Sequence, residues 1–119
     1  MLVREQVADS EDYLQVADLG LITSELESFC LSILEAMCFA CPSVAVPVGG
    51  IPEVIEHNAT GLLVPAADPD SLARAVESLL QDPARRHALG QAAQLRAAAK
   101  FSAQAIVPRY EALYRRVCA

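Results

Sequence analysis

Three short apolar runs, each followed by a turn and a helical pattern, constrain the fold of this chain more than any other feature. The runs lie at Leu19–Thr23, Ser43–Val46 and Gly61–Val64. Strands that alternate with helices are the units from which parallel sheets are built. The second run consists only of small and branched residues, which suits a strand buried on both faces. The sequence therefore predicts an α/β fold with a parallel three-stranded sheet and flanking helices.

The segment between the first two runs combines two carboxylates with the start of a helix. It reads TSELESFCLSILEAM over residues 23–37, and Ser28 is the predicted N-cap of a helix that reaches about Phe39. Glu27 would precede this helix and Glu35 would lie two turns inside it, at most ~12 Å apart along the axis. Free N–H groups of a first helical turn stabilise an anion. A nucleotide sugar offers sugar hydroxyls, a diphosphate and ribose hydroxyls in the matching order.

The part of the chain after Pro65 is predicted to be helical. Asp70 or Ser71 is the expected N-cap of the first of these helices. Asp82 followed by proline reads as an N-cap and first-turn pair for a second helix, through about residue 100. Ser102 begins a third helix, which extends towards the C-terminus.

The same segment resembles the donor-binding signature of the retaining glycosyltransferases of family 4, which have two Rossmann-like lobes (the GT-B fold). Glu27 and Glu35 are separated by seven residues, and Pro42 and a GGIPE sequence at 49–53 follow them. The resemblance covers roughly residues 10–117. The features most similar to the N-acetylglucosaminyl L-malate synthase branch of this family are Tyr13-Leu14, Ala17-Asp18-Leu19 and Ser24-Glu25.

The resemblance implies that residues 1–119 form the C-terminal portion of a donor-binding domain, a partial Rossmann-like sheet with C-terminal helices. The N-terminal lobe and the first half of the donor lobe are then expected to lie outside this chain. The strand at Leu19–Thr23 would become an apolar edge whose unpaired backbone groups are a template for another chain. We therefore expect self-association through this sheet edge.

The resemblance also implies roles for individual residues. Glu27 is the predicted catalytic residue, bonded to the 3- or 4-hydroxyl of the donor sugar, and Glu35 would bond the ribose hydroxyls. The other implied substrate-binding residues are Ser28, Phe29, Cys30, Leu31, Gly49 and Gly50. The apolar character of Ile33, Leu34, Ala36 and Met37 favours burial of Glu35 between them. The glycine pair serves either turn geometry or close approach to a ligand, and the resemblance favours the ligand.

Two positions depart from the family pattern. The family usually has glycine where this chain has Cys30 and, two residues before Pro42, Ala40. Basic residues that grip the diphosphate lie in the half-lobe outside this chain, so we expect the isolated chain to be inactive. A non-catalytic nucleotide-sugar-binding or interaction module, left by truncation, is the alternative function. A sugar-nucleotide epimerase of the same architecture is disfavoured by the Glu-x7-Glu spacing with GGIPE.

Charge and composition limit the partners. The net charge of −6 and the pI near 4.7 argue against nucleic acid. No stretch reaches the ~18 apolar residues of a membrane span, and no signal peptide is recognisable, so a cytoplasmic location is expected. The resemblance implies a nucleotide-diphosphate sugar as ligand, with UDP-N-acetylglucosamine favoured, and no cofactor. The absence of an Asp-x-Asp motif matches the metal-independent habit of this fold.

Cys38 and Cys41 have the C-x-x-C spacing of redox sites and of half a metal site. No second pair follows, and His57 and His87 have no ligand-like spacing to the two cysteines. The motif also falls where a helix ends rather than where one begins. We therefore expect buried free thiols.

Overall fold

The protein contains a parallel three-stranded sheet with helices on both faces, in a computed structural model that describes residues 3–65 and 68–119. The strand order is β1-β2-β3, with Leu21, Val44 and Leu62 in register across the sheet. This arrangement confirms the predicted fold class. The strands are β1 (Gly20–Ile22), β2 (Ser43–Ala45) and β3 (Gly61–Leu63), and the helices are α1 (Ser10–Val16), α2 (Leu31–Cys38), α3 (Ile51–Val54), α4 (Pro69–Leu80), α5 (Pro83–Phe101) and α6 (Ala103–Val117).

The central strand β2 separates two apolar clusters. Val44 belongs to a cluster with Leu72, Leu79 and Leu89, and its neighbour Ala45 belongs to the other. Successive side chains of a strand point to opposite faces, so β2 contributes to both layers. The second cluster includes Ile33, Met37, Ile51, Val54, Ile55, Ala93 and Ala97. The small and branched residues of β2 are therefore needed because helices cover the sheet on both sides.

Helix α2 begins later than the sequence predicted, and Ser28 is not its N-cap. The N-cap is Cys30, whose φ of 64° and ψ of 72° place it in the left-handed region. A left-handed residue turns the backbone away from the right-handed helix, so residues 28–30 remain outside α2. Glu35 is consequently one turn inside the helix, not two.

The capping residues of the C-terminal helices agree with the sequence in two cases of three. The Asp82 carboxylate accepts the Arg85 N–H at 3.0 Å, and Ser102 caps α6, as predicted. The start of α4 was predicted wrongly, because Asp68 accepts the N–H groups of Asp70 and Ser71 and therefore caps this helix. Pro69 then occupies the first helical position, where its missing N–H costs nothing.

Candidate functional site

The loops that follow β1 and β2 lie against each other at the carboxyl edge of the sheet. The Gly50 N–H donates to the Ser28 carbonyl at 2.8 Å. A Cβ on Gly49 would lie 1.7 Å from the carbonyl oxygen of Glu27, and Gly49 also has a φ of 55°. Both observations exclude side chains at this point, so the glycine pair allows the two loops to touch. The structure thus brings Gly49 and Gly50 against the segment that carries Glu27 and Ser28.

Glu27 is half-buried in this loop contact. The Ser24 hydroxyl donates to Oε1 of Glu27 at 2.7 Å. No other residue in the described ranges donates a hydrogen bond to the carboxylate. The group is therefore oriented by one partner and keeps acceptor capacity for a ligand hydroxyl. The sequence did not identify Ser24 as a partner of Glu27, because both residues lie in a loop whose path only the structure shows.

The start of α2 presents backbone donors next to Glu27. Among hydrogen bonds between described residues, none is donated by the N–H of Phe29, Cys30 or Leu31. The Ile33 N–H instead bonds the Cys30 carbonyl at 3.2 Å. Helix starts leave such N–H groups without partners within the helix, and those groups attract anions. The three N–H groups therefore have no partner in the described chain, although only Leu31 lies in the first turn of α2, and Phe29 and Cys30 precede it.

Glu35 is exposed, so the prediction of a buried carboxylate is wrong. Ile33, Ala36 and Met37 are the buried residues of α2, and they share one face at spacings of three and four. Glu35 lies off that face because each helical residue rotates by about 100°. It borders a cavity of about 150 Å³ together with Ser10, Glu11, Leu14 and Phe39. The structure thus leaves Glu35 on the open side of α2, away from the contact that holds Glu27.

Phe29, in the loop between β1 and α2, packs against the C-terminal end of α5. Its ring lies 5.8 Å from the ring of Phe101 at an interplanar angle of 67°, an edge-to-face pair. The neighbouring Cys30 is buried, and its sulfur lies 3.3 Å from the Ser32 hydroxyl. These contacts hold the side chains of Phe29 and Cys30 inward, while their backbone N–H groups have no partner among the described residues.

The Gly49-Gly50 loop is held from its other end by Arg96. This α5 side chain, only 15% exposed, donates to the carbonyls of Glu53 and Val54, each at 2.9 Å. It also pairs with the Glu56 carboxylate at 3.2 Å. Those carbonyls belong to the last turn of α3, which lacks partners of its own. Arg96 therefore fixes the short helix that follows the glycine pair.

The four cysteines are free in the described chain, but Cys38 is exposed, contrary to the expectation that both C-x-x-C thiols are buried. Cys38 ends α2 on its open side, whereas Cys41 lies in the buried turn into β2. Burial, and secondarily the Asp18 carboxylate, raise the pKa of the Cys41 thiol.

Among residues 3–65 and 68–119, no group of three or more potential ligand side chains could hold a metal ion. None of the helices in those ranges has the length and apolar character needed to cross a membrane.

Comparison with known proteins identifies the family. Residues 2–96 match the sequence model of the family described as "Glycosyl transferases group 1". The chain belongs to this glycosyltransferase family. A curated relative, N-acetyl-alpha-D-glucosaminyl L-malate synthase of Bacillus anthracis, is 39% identical over 103 residues, which are 87% of this chain and 27% of that protein.

Solved glycosyltransferases of the GT-B fold resemble this group 1 chain in structure. Sucrose-phosphate synthase from Thermosynechococcus elongatus superposes with a TM-score of 0.83 at 36% identity, over 88% of this chain and 26% of that one. Anabaena HepE in complex with UDP-glucose gives a TM-score of 0.82 at 28% identity, over 92% and 30% of the two chains. The chain spans about a quarter of the length of the curated relatives it matches. The predicted membership of a glycosyltransferase family and the GT-B fold are thus confirmed.

Proposed function

We propose that the carboxyl edge of the sheet is the donor-binding half of a retaining family 4 glycosyltransferase. The whole protein would transfer a sugar from a nucleotide-diphosphate sugar. The observation that carries this proposal is the row of N–H groups at Phe29, Cys30 and Leu31, which have no partner among the described residues and lie beside the half-buried carboxylate of Glu27. Anion-binding donors and a hydroxyl-binding carboxylate are the groups that a sugar diphosphate requires.

Each residue then has a separate role at this edge. Glu27 accepts a hydrogen bond from the donor sugar and is the proposed catalytic residue, while the N–H groups of Phe29, Cys30 and Leu31 face the diphosphate. Ser28 offers its exposed hydroxyl beside them. Glu35 binds the ribose hydroxyls from the open side of α2. Gly49 and Gly50 let the second loop approach the ligand with backbone alone.

The donor that we propose is UDP-N-acetylglucosamine. Two similar proteins support this choice: the Bacillus anthracis relative is named for the N-acetylglucosaminyl group, and HepE was solved with UDP-glucose. The isolated chain is expected to bind the donor without transferring it. This follows if residues 1–119 are the C-terminal portion of a donor-binding domain and the acceptor lobe lies elsewhere. A cytoplasmic location remains a prediction from the sequence.

We further propose that β1 associates with another chain. It pairs only with β2 among the described strands, and its Leu21 side chain is 50% exposed. An apolar strand edge with unpaired backbone groups favours pairing with a second strand. The alternative function, a non-catalytic binding or interaction module, agrees with the same exposed edge.

Calorimetric titration of the purified chain with UDP and with UDP-N-acetylglucosamine tests the donor site. Glu27→Gln should weaken binding of the nucleotide sugar at least tenfold while it leaves UDP nearly unaffected, because Glu27 bonds the sugar. Glu35→Ala should weaken both ligands alike, because both contain the ribose. Glu77→Ala, an exposed glutamate on α4, is the matched control and should change neither.

Two outcomes would contradict the proposal. Unchanged affinity in the Glu27 variant would remove that residue from the sugar site. No heat with millimolar ligand, from a chain that circular dichroism shows to be folded, would favour the non-catalytic interaction module.

A further inference from the structure

Three polar side chains of α5 bond backbone carbonyls at the ends of other helices. Arg86 donates to the last turn of α4, Gln94 to the last carbonyl of α2, and Arg96 to the last two carbonyls of α3. Carbonyls in the last turn of a helix have no partner within that helix. Of the three helices, α3 is the one that directly follows the Gly49-Gly50 loop of the candidate site.

Helix α3 is too short to be stable by itself. It has four residues, and its N-cap Gly50 provides no side-chain hydrogen bond. A first helical turn is unfavourable to form, because several dihedral angles are fixed for few hydrogen bonds. Ile51 and Val54 anchor its buried face. Among the described residues, only Arg96 donates to the carbonyls of Glu53 and Val54, so this side chain supplies the polar contacts at the end of the helix.

The Arg96 guanidinium uses three different nitrogens for its contacts. Nε bonds the Val54 carbonyl, Nη2 the Glu53 carbonyl and Nη1 the Glu56 carboxylate. Because a guanidinium is planar and its donors have fixed directions, these bonds define the position of α3 relative to α5 more narrowly than one bond would. The Glu56 side chain is 63% exposed, and exposed ion pairs contribute little. The two carbonyl bonds are therefore the important ones.

The loop before α3 is in close contact with the segment that carries the candidate site. The Gly50 N–H donates to the Ser28 carbonyl, and Gly49 lies directly against the Glu27 carbonyl. Only one helical turn, ~6 Å along the axis, separates Gly50 from the carbonyls that Arg96 holds. A displacement of α3 would therefore also displace the loop from Glu27 and Ser28.

We propose that Arg96 is a positioning residue for the donor. It acts through α3 and the Gly49-Gly50 loop on the segment of Glu27, without touching the ligand. The inference rests on the proposed function, which places the donor at the carboxyl edge. Placement matters there, because a misplacement of about 1 Å by a distant substitution can cost ~100-fold in rate. Every contact of this path joins two described residues of the chain, so the path does not depend on what covers the outer surfaces.

Calorimetric titration with UDP-N-acetylglucosamine tests the inference in matched arginine variants of α5. Arg96→Ala should weaken donor binding about tenfold, because α3 and the loop are no longer fixed. Arg86→Ala is the control, since Arg86 also bonds carbonyls at a helix end but lies at the amino edge with Asp18. It should lower the unfolding temperature by a similar amount and leave donor affinity unchanged. Glu56→Gln should likewise leave the affinity unchanged, because both carbonyl bonds of Arg96 remain.

Arg96→Lys provides a second variant that retains the positive charge but not the planar fork. Its donor affinity should lie between those of the wild-type chain and Arg96→Ala, and it replaces Arg96→Ala in the test if that variant does not fold. Amide hydrogen exchange, measured by NMR without ligand, reports on the loop itself. The exchange rate of the Gly50 N–H relative to that of the Gly20 N–H, which bonds the Pro42 carbonyl, should rise in both Arg96 variants and not in Arg86→Ala.

Three outcomes would overturn the inference and leave the proposed function intact. The first is a wild-type chain that binds the donor no more tightly than the Arg96 variants do. The second is an equal loss of affinity in Arg86→Ala, because general destabilisation would then explain the effect. The third is an unchanged exchange ratio at Gly50 in the Arg96 variants. A folded wild-type chain that binds no donor would instead contradict the proposed function and, with it, the inference.

Discussion

The carboxyl and amino edges of the sheet contain the same backbone features, but only the carboxyl edge carries the candidate binding site. At the carboxyl edge, Gly49 lies beneath the Glu27 carbonyl and Cys30 has a φ of 64°. At the amino edge, a Cβ on Gly90 would lie 2.0 Å from the carbonyl oxygen of Ala40, and Ala40 has a φ of 55°. Each edge thus combines a glycine under close backbone contact with a non-glycine residue in the left-handed region.

The two edges differ in how their polar groups are satisfied. At the amino edge the Ala40 and Cys41 N–H groups bond carbonyls of α2, and the Gly20 N–H bonds the Pro42 carbonyl at 2.9 Å. Arg86 of α5 closes this side with an ion pair to Asp18, also at 2.9 Å. The N–H groups at the start of α2 have no such partners in the described chain. The backbone N–H groups of Gly20, Ala40 and Cys41 at the amino edge therefore have partners within the chain, while the carboxyl edge retains donors for a ligand.

The largest expected effect is on stability at the amino edge. Gly90→Ala should lower the free energy of unfolding by about 3 kcal/mol, because the added methyl group meets a helix end that cannot move freely. Gln91→Ala, at the exposed neighbouring position, is the control and should change stability by less than about 0.5 kcal/mol. Urea denaturation measures both. Equal stabilities of the two variants would show that the amino edge is not tightly packed.

Gly49→Ala should affect both stability and ligand binding. We expect the free energy of unfolding to fall by about 2 kcal/mol, which is less than for Gly90→Ala because a loop can shift to relieve the overlap. The same shift should separate the Gly49-Gly50 loop from Glu27 and weaken donor binding at least tenfold, whereas folded Gly90→Ala should keep its affinity. Calorimetry measures the donor affinity of both variants, and urea denaturation measures their stability. Unaltered donor affinity in Gly49→Ala would contradict the division proposed between them.

Restoring glycine at the two left-handed positions should stabilise the chain. Ala40→Gly should raise the free energy of unfolding by about 1 kcal/mol, because glycine adopts positive φ without steric cost. Ala88→Gly, at an exposed position inside α5, should have the opposite effect and lower the free energy of unfolding by about 1 kcal/mol. Cys30→Gly should gain less than Ala40→Gly, because it also removes a buried side chain. Thermal denaturation ranks the three variants, and destabilisation by Ala40→Gly would argue against strain at that position.

The smallest expected effect concerns Ser43 at the start of β2. Its hydroxyl is buried and has no hydrogen-bond partner among the described residues. Ser43→Ala should therefore stabilise the chain by about 0.5 kcal/mol, since it removes an unsatisfied polar group at nearly constant volume. Ser78→Ala serves as the comparison, because the Ser78 hydroxyl bonds the Ala75 carbonyl at 2.8 Å. A loss of stability in Ser43→Ala would indicate that its hydroxyl does have a partner in solution.

Local signals in the sequence predicted much of this fold. The three apolar runs located the strands to within one residue at each end, and Asp82 and Ser102 marked the starts of α5 and α6. The start of α2 could not be predicted in this way. Ser28 has a high capping propensity, but its carbonyl is taken by Gly50 and the left-handed Cys30 ends the loop. Contacts between segments distant in sequence therefore determine where α2 begins.

The sequence suggested candidate site residues, but it did not predict their geometry. Cys30 and Ala40 stand where the resembled family usually has glycine. Both residues have a positive φ, which explains why glycine suits these positions. The apolar sequence neighbours of Glu35 do not predict its burial, because residues adjacent in a helical sequence point in different directions. Ile33, Ala36 and Met37 face the core together, and Glu35 is turned away from them.

An NMR titration of the ¹⁵N-labelled chain with UDP-N-acetylglucosamine tests directly whether the carboxyl edge binds the donor. We expect the amide resonances of Phe29, Cys30 and Leu31 to shift with a common dissociation constant. Amides of Gly20 and Gly90 at the amino edge should remain in place. Shifts confined to the amino edge, or no shifts at millimolar ligand, would contradict the claim that the carboxyl edge is the donor half-site.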